Sequence, residues 1–330
     1  MSDTTAPFRW GILGTGAIAH QFAIGLTSVP DAELAAVGSR SEESARRFAE
    51  ERGARRAHGS YAALAADPEI DAIYVATPHV RHREDTLACL AQGKPVLCEK
   101  PFAMNLAEGK DMVAAARESG VFLMEAMWTR FLPAMVFLRE QLAAGLIGEV
   151  RGLTCDFGFR ADFDPKSRLF DPALGGGALL DVGVYCVALS RSIFGQAPAE
   201  ITGLAHLGET GVDEESSWIF RYADGRLSSQ SAAVRLDSAQ EAIVHGSEGR
   251  VRVPHFWNAR TLIVERGDHR ETLEPEAQGN GYNYEAEEVA RCVRAGQLES
   301  ALMPLDESLE ILNTLDRIRD QWGLRYPADG

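Results

Sequence analysis

The feature that most constrains this chain is a strand that runs directly into a glycine turn and then into a helix. Phe8 to Leu13 reads as a strand, Gly14-Thr15-Gly16-Ala17-Ile18-Ala19 follows without a spacer, and Ile18, Phe22 and Leu26 recur at helical spacing. Gly14 permits the tight turn, Gly16 lets a pyrophosphate approach the backbone, and the small Ala19 lets helix lie close to strand. The amides around Thr15, Ala17 and Ile18 then face the phosphates at the helix amino end. This pattern predicts an amino-terminal Rossmann domain, an α/β doubly wound parallel sheet that binds a dinucleotide.

The second strand, Glu33 to Val37, ends in Gly38-Ser39-Arg40, where an Asp or Glu would grip the adenosine ribose of NAD. No acid stands there. A hydroxyl and a guanidinium suit a 2'-phosphate, so the expected cofactor is NADP, with NAD as the alternative. Ser39 and Glu42 also have the spacing of a helix capping box, in which case Arg40 faces water.

Ala72 to Ala76 reads as a buried strand ending in Thr77-Pro78-His79, and Val96-Leu97-Cys98 as another ending in Glu99-Lys100-Pro101. Open α/β sheets place ligands at such carboxyl ends. Thr77, Pro78, His79, His82, Glu99 and Lys100 are therefore candidates to line the cofactor groove, with a structural role equally open for His82. His79 and His82 lie three apart, but no third ligand follows, so no metal is expected. Val121 to Met124 predicts a further strand, followed by Glu125-Ala126-Met127-Trp128-Thr129-Arg130-Phe131. Trp128 here reads as substrate wall or, with Phe131, as interdomain core, and Arg130 as a residue near substrate hydroxyls or a solvated one. The domains are placed at 1–126 and 127–330.

In the second half, Val150 to Phe159 predicts a strand and Gly175-Gly176-Gly177 delivers Ala178-Leu179-Leu180-Asp181-Val182-Gly183-Val184-Tyr185. Asp181 and Tyr185, four apart, share one face of a helix, and Gly183 leaves room for a close neighbour. Five alternating segments between Ile201 and Val253, with turn signals at Ala223-Asp224-Gly225 and Ser247-Glu248-Gly249, predict a large, mostly antiparallel open sheet. Phe159, Arg160 and Trp257 are further substrate candidates by placement alone.

Composition narrows the class of partner. A formal charge of -15, with no Lys/Arg block, argues against nucleic acid. Cys89, Cys98, Cys155, Cys186 and Cys292 are scattered, which fits a reducing compartment rather than a disulfide framework. No uninterrupted apolar run approaches the roughly 20 residues that span a bilayer. A cytoplasmic protein with no membrane partner is the expectation.

Gly-x-Gly-x-x-Ala, Thr77-Pro78, Glu99-Lys100-Pro101 and Asp181-x-Gly-x-Tyr185 together resemble the Gfo/Idh/MocA oxidoreductases over essentially the whole chain. The stretch from Met124 to Phe131 and the Gly-Gly-Gly-Ala-Leu-Leu-Asp run look most like that family's dihydrodiol and D-xylose dehydrogenase branch. The resemblance implies a carboxyl-terminal α/β domain whose open sheet pairs with a second subunit, as a homodimer or higher homo-oligomer. It also implies hydride transfer between nicotinamide and a sugar, polyol or trans-dihydrodiol hydroxyl. Lys100 matches the family's catalytic lysine, and Asp181 and Tyr185 its acid/base positions. Many members carry His where this chain has Tyr185. Tyrosine titrates at about 10 unperturbed, and a nearby ammonium favours tyrosinate. Tyr185 is thus expected as general acid/base, Lys100 as its electrostatic partner and Asp181 as the orienting group. A glycosidase that uses its nucleotide transiently, and a non-catalytic nucleotide sensor, are the two competing functions.

Overall fold

Five apolar runs and the short Arg56–His58 segment become six parallel strands. In the computed structural model, which describes residues 6–330, the first part of the chain alternates strand and helix. The elements are β1 (Phe8–Leu13), α1 (Ala17–Leu26), β2 (Ala32–Gly38), α2 (Glu42–Arg52), β3 (Arg56–His58), α3 (Tyr61–Ala65), β4 (Ala72–Val75), α4 (His82–Ala91), β5 (Val96–Glu99), α5 (Leu106–Ser119) and β6 (Leu123–Ala126). The sheet order is β3-β2-β1-β4-β5-β6, with every pairing parallel. Strand order reverses beside β1, which opens a crevice at the carboxyl ends of β1 and β4.

The second part begins with α6 (Pro133–Ala143) and β7 (Val150–Gly158), and a turn of π-helix over Leu179–Gly183 then leads into α7 (Val184–Phe194). Seven strands follow: β8 (Glu200–Leu207), β9 (Asp213–Arg221), β10 (Leu227–Ala233), β11 (Ala242–Gly246), β12 (Arg250–Val253), β13 (Leu262–Arg266) and β14 (His269–Leu273). Their order is β14-β13-β12-β11-β7-β10-β9-β8, antiparallel except between β7 and β10. The helices α8 (Tyr282–Arg294) and α9 (Leu305–Asp320) complete the chain. The strands β3, β13 and β14 were not expected from the sequence, and β6 starts two residues later than the Val121 to Met124 run, which puts Glu125 on a strand.

Contacts divide the chain into two units. One comprises residues up to Ala103, Ala107–Trp128 and Gln278–Ser308, and the other Met104–Leu106, Thr129–Ala277 and Leu309–Gly330. The first therefore reaches just past the expected cut at 126/127 and takes α8 back from the carboxyl-terminal half. Its core stacks Phe22 of α1 on Tyr74 of β4, ring centroids 3.9 Å apart, with Trp10 edge-on to Phe22. In the second unit, the π-turn and α7 cover one face of the sheet, and Leu153, Cys155, Phe157, Trp218 and Phe220 are buried there. A Cβ on Gly183 would lie 3.1 Å from the Trp218 ring, so the room that glycine leaves is filled by the sheet itself.

The opposite face of this sheet is solvent-exposed and carries charged residues such as Glu200, Glu215 and Arg221 beside Thr154, Ser217 and Ser229. Leu204, Ile219 and Leu227 stand on it 82%, 49% and 51% exposed. The stretch Pro172–Phe194 contains an 18-residue window apolar enough to cross a bilayer by composition, but 89% of that window is buried inside the protein, as in a core segment. All five cysteines are free thiols, and Cys155 and Cys186, distant in sequence, lie with their Sγ atoms 3.4 Å apart.

Gly14 has φ +113°, and a Cβ there would lie 2.8 Å from the Ala76 carbonyl oxygen. Gly16 has φ -78° with nothing within 4 Å of its Cβ position. Gly14→Ala should therefore lower unfolding stability by about 1–3 kcal/mol in a urea titration. Gly16→Ala should stay within about 1 kcal/mol of the parent. Equal losses at the two positions would contradict this assignment.

Candidate active site

In the first unit, the amino end of α1 is built to face an anion. Its N-cap is Gly16, with no side-chain cap, and no acidic residue lies in its first turn. The helix dipole and the unpaired amides are thus left uncompensated. Beside it, the buried Thr77 hydroxyl at the end of β4 has no hydrogen-bond partner among the described residues. Together with the open space at Gly16, these features fit a dinucleotide whose pyrophosphate lies against Thr15, Ala17 and Ile18.

At the end of β2, Ser39 is buried and its hydroxyl accepts the Ser41 amide at 3.4 Å. The cap of α2 is Ser41, which accepts the Ser44 amide at 3.3 Å, so the Ser39/Glu42 capping box does not form. The helix starts two residues later than that box requires. The exposed Arg40 lies within hydrogen-bonding reach of the Tyr61 hydroxyl, and the Arg81 guanidinium sits 5.8 Å from the Tyr61 ring. Burial raises the Tyr61 pKa, so the hydroxyl is retained as a donor beside Arg40. Sequence reasoning missed Tyr61, because a tyrosine opening a short helix carries no signal of its distance from Arg40.

The loops after β4 and β5 are tied together by His82, whose Nδ1 lies 2.9 Å from the Pro101 carbonyl oxygen and whose Nε2 lies 2.9 Å from that of Thr77. Burial pushes its pKa down, against the pull of the two carbonyls. Both ring nitrogens face this protein's own backbone. Pro78 and the buried His79 occupy the start of the same loop. Among the described residues, no group of three or more His, Cys, Asp or Glu side chains gathers to hold a metal.

Lys100 follows directly on β5, and its peptide bond to Pro101 is cis. The Lys100 amide donates to Glu99 Oε2 at 3.0 Å, and the buried Tyr74 hydroxyl donates to Glu99 Oε1. Two residues on, the Phe102 amide donates to Glu125 Oε1 at 3.2 Å. Glu125 is fully buried, and burial pushes its pKa up to about 7. Glu285 of α8 is also buried, with neither carboxyl oxygen partnered among the described residues; burial and then the Glu99 charge hold its pKa well above the usual range. Trp128 is 3% exposed and stacks on Tyr282, centroids 4.6 Å apart.

In the second unit, Asp181 lies on the π-turn and Tyr185 on the first turn of α7. Both are buried. Asp181 Oδ1 accepts from Arg168 Nη1 at 2.8 Å. Arg168 comes from the polar loop before the glycines, where nothing in the sequence distinguishes it from a solvated residue. The Tyr185 ring lies 5.6 Å from Phe157, which stacks on Trp257 at 5.2 Å. Trp257 Nε1 donates to Gln240 Oε1 at 2.8 Å, which fixes the indole. Phe159 is half-buried and Arg160 is exposed, with their backbones held by Ala233 and Asp237. Arg130 lies on a 3-10 turn, and its carbonyl accepts from Arg139 at 2.8 Å. The structure thus brings Tyr185 and Trp257 together around Phe157, which sequence reasoning had passed over.

The model of the oxidoreductase family with an NAD-binding Rossmann fold, GFO_IDH_MocA, matches residues 8–127, and the GFO/IDH/MocA C-terminal domain matches residues 135–252. Trans-1,2-dihydrobenzene-1,2-diol dehydrogenase of Mus musculus is 40% identical over 332 residues, covering 97% of this chain and 98% of its own. The Homo sapiens protein of that name is 38% identical, with the same coverage. Among solved structures, KijD10, a 3-ketoreductase from Actinomadura kijaniata in complex with NADP and TDP-benzene, superposes with a TM-score of 0.85 at 27% identity, over 95% of this chain and 97% of that one. Aldose-aldose oxidoreductase from Caulobacter crescentus shares the fold, with a TM-score of 0.87 at 24% identity over 96% and 98% of the two chains.

The Glu125 carboxyl gives a stability signature. It keeps its proton in the folded protein up to about pH 7, whereas the ordinary value is 4.5, so its contribution is greatest at low pH and declines as pH rises through that interval. The stability of the parent relative to Glu125→Gln should accordingly fall by about 3 kcal/mol between pH 4 and pH 8. A difference independent of pH would show that Glu125 keeps its ordinary pKa in the folded protein.

Proposed function

The chain belongs to the GFO/IDH/MocA oxidoreductase family, and from that membership we propose that it oxidises, and in reverse forms, a hydroxyl group on a sugar, polyol or trans-dihydrodiol with NADP as preferred cofactor. One observation carries the reading. The relatives named as dihydrodiol dehydrogenases match over 97% of this chain, so the nucleotide-binding and carboxyl-terminal halves are shared together. The choice of NADP rests on Ser39 and Arg40 with Tyr61 beside them, since no acid there meets a ribose 2'-hydroxyl.

Bound nicotinamide supplies the hydride acceptor. Loss of hydride from a carbinol carbon leaves a carbonyl only if the hydroxyl proton also departs. Tyr185 takes that proton, and Lys100 donates a hydrogen bond to the same oxygen while favouring the tyrosinate. Asp181 orients the pair. Its carboxylate already accepts from Arg168, which makes it a poor base and supports the assignment of the proton to Tyr185. Glu99 holds the Lys100 backbone, Thr77, Pro78 and His79 line the cofactor groove, and His82 braces it from behind. Trp257, Trp128, Phe159, Arg130 and Arg160 are the proposed substrate-contacting residues.

The exposed sheet face, where Leu204, Ile219 and Leu227 stand beside Ser217, Ser229 and Thr202, supports a homodimer paired through that face. The reading places the enzyme in the cytoplasm.

Formation of reduced nucleotide from NADP+ or NAD+ at mildly alkaline pH, with D-xylose, D-glucose, inositols and a trans-dihydrodiol as substrates, tests the proposal. Turnover should require Lys100, and Tyr185→Phe should lower kcat by about 10²–10⁴ while nucleotide binding persists. Arg40→Ala should raise the KM for NADP+ by roughly 10- to 100-fold and leave NAD+ unaffected. Release of a sugar without net nucleotide reduction would favour the glycosidase, and nucleotide binding without any turnover the sensor.

A further inference from the structure

We propose that Asp213 is a positioning residue for the reaction, clamping from a distant strand the turn that presents Asp181 and Tyr185. The inference rests on the reading of those two residues given above. The turn begins at Leu179, and the residue at its own N-cap, Ala178, has no side-chain group with which to cap it. The amides at a helix start lack intrahelical acceptors and need one from elsewhere. Asp213, at the start of β9 and fully buried, provides it: Oδ2 accepts the Leu179 amide at 2.7 Å and the Ser216 hydroxyl at 3.3 Å.

The glycines ahead of the turn are shaped around the same carboxyl. Gly177 has φ +119°, and a Cβ there would lie 2.2 Å from Asp213 Oδ1. No side chain other than hydrogen fits between them. The carbonyl of Gly176 accepts from the Tyr326 hydroxyl at 2.7 Å. Tyr326 is in turn held by Asp329, which accepts its amide at 2.8 Å and pairs with Arg319. The groups facing Asp213 are therefore Ser216 from its own strand, the Leu179 amide from the turn and the Tyr326 hydroxyl from the last residues, with Arg319 and Asp329 behind that tyrosine.

Asp213 Oδ1 has no partner among the described residues, and burial pushes the carboxyl up to about 7 against the pull of the Leu179 amide and Ser216. Because the raised pKa belongs to the closed turn, in which the carboxyl is buried, the proton stabilises that state relative to an opened one that exposes Asp213 to water. The clamp consequently loosens as pH rises through neutrality.

Hydrogen exchange of the full chain, followed by mass spectrometry over the peptide spanning residues 177–185, reads the clamp without a substrate. Asp213→Ala should exchange there roughly 10-fold faster than the parent, and Asp213→Asn, which keeps an acceptor oxygen, should restore protection. The restored protection should lack the loss, beyond the intrinsic rise in exchange, that the parent shows between pH 6 and pH 8. With the best substrate of the panel above, Asp213→Ala should lower kcat by roughly 10- to 100-fold with NADP+ affinity unchanged. Unaltered exchange in Asp213→Ala, or an Asp213→Asn pH profile superimposable on the parent's, would overturn the inference. If Asp213→Ala does not fold, the Asp213→Asn profile alone decides. A Tyr185→Phe variant with full turnover would instead remove the reading of the reaction residues, and with it the catalytic half of this proposal.

Discussion

Three backbone amides next to the candidate reaction residues are each held by a buried carboxyl group. Glu99 accepts the amide of Lys100, Glu125 that of Phe102 and Asp213 that of Leu179. These amides lie where the chain has left a strand or not yet entered a helix, so neither ladder nor helix can satisfy them, and an unsatisfied buried amide is costly. A side-chain acceptor solves the problem with positional precision. It also introduces a buried acid, and the about-7 values of Glu125 and Asp213 reflect that. Within each unit, the segment that bears a proposed reaction residue is thereby coupled to a carboxyl raised to about 7.

Glu99 occupies the most crowded of these settings. Its two oxygens are engaged by the Tyr74 hydroxyl and the Lys100 amide, while its charge, after burial, helps to hold the Glu285 pKa well above the usual range. The loop bearing Lys100 is thus fixed from the sheet side by Glu99, from the next strand by Glu125 and from α4 by His82. Such over-determination is what holding a reacting group in one geometry requires.

The alternation of strands and helices was legible because apolar periodicity and glycine placement are local properties. The glycine turn, the ends of β4 and β5 and most of the antiparallel strands lie where those patterns put them. Strands β13 and β14 were not legible, since the outer β14 exposes most of its residues and shows no alternation to read. Partners distant in sequence were also hidden. Arg168 is one loop arginine among several until the fold brings it to Asp181, and Asp213 lies 34 residues from the amide it caps. Gly183 read as room for a close neighbour, and the Trp218 ring is that neighbour; sequence shows that a side chain is missing and not what fills the gap. Ser39 failed as a cap because Ser41, two residues on, does the same work one helical start later.

The most direct test of the central claim follows the hydrogen itself. The enzyme would be given NADP+ and a substrate deuterated at the carbinol carbon, either D-xylose labelled at C1 or a labelled trans-dihydrodiol, and the reduced nucleotide would be analysed by mass spectrometry. The account predicts deuterium on the nucleotide in full, with none formed by Lys100→Ala. Reduced nucleotide free of deuterium, or label lost to water with no net reduction, would contradict direct hydride transfer from the hydroxyl-bearing carbon.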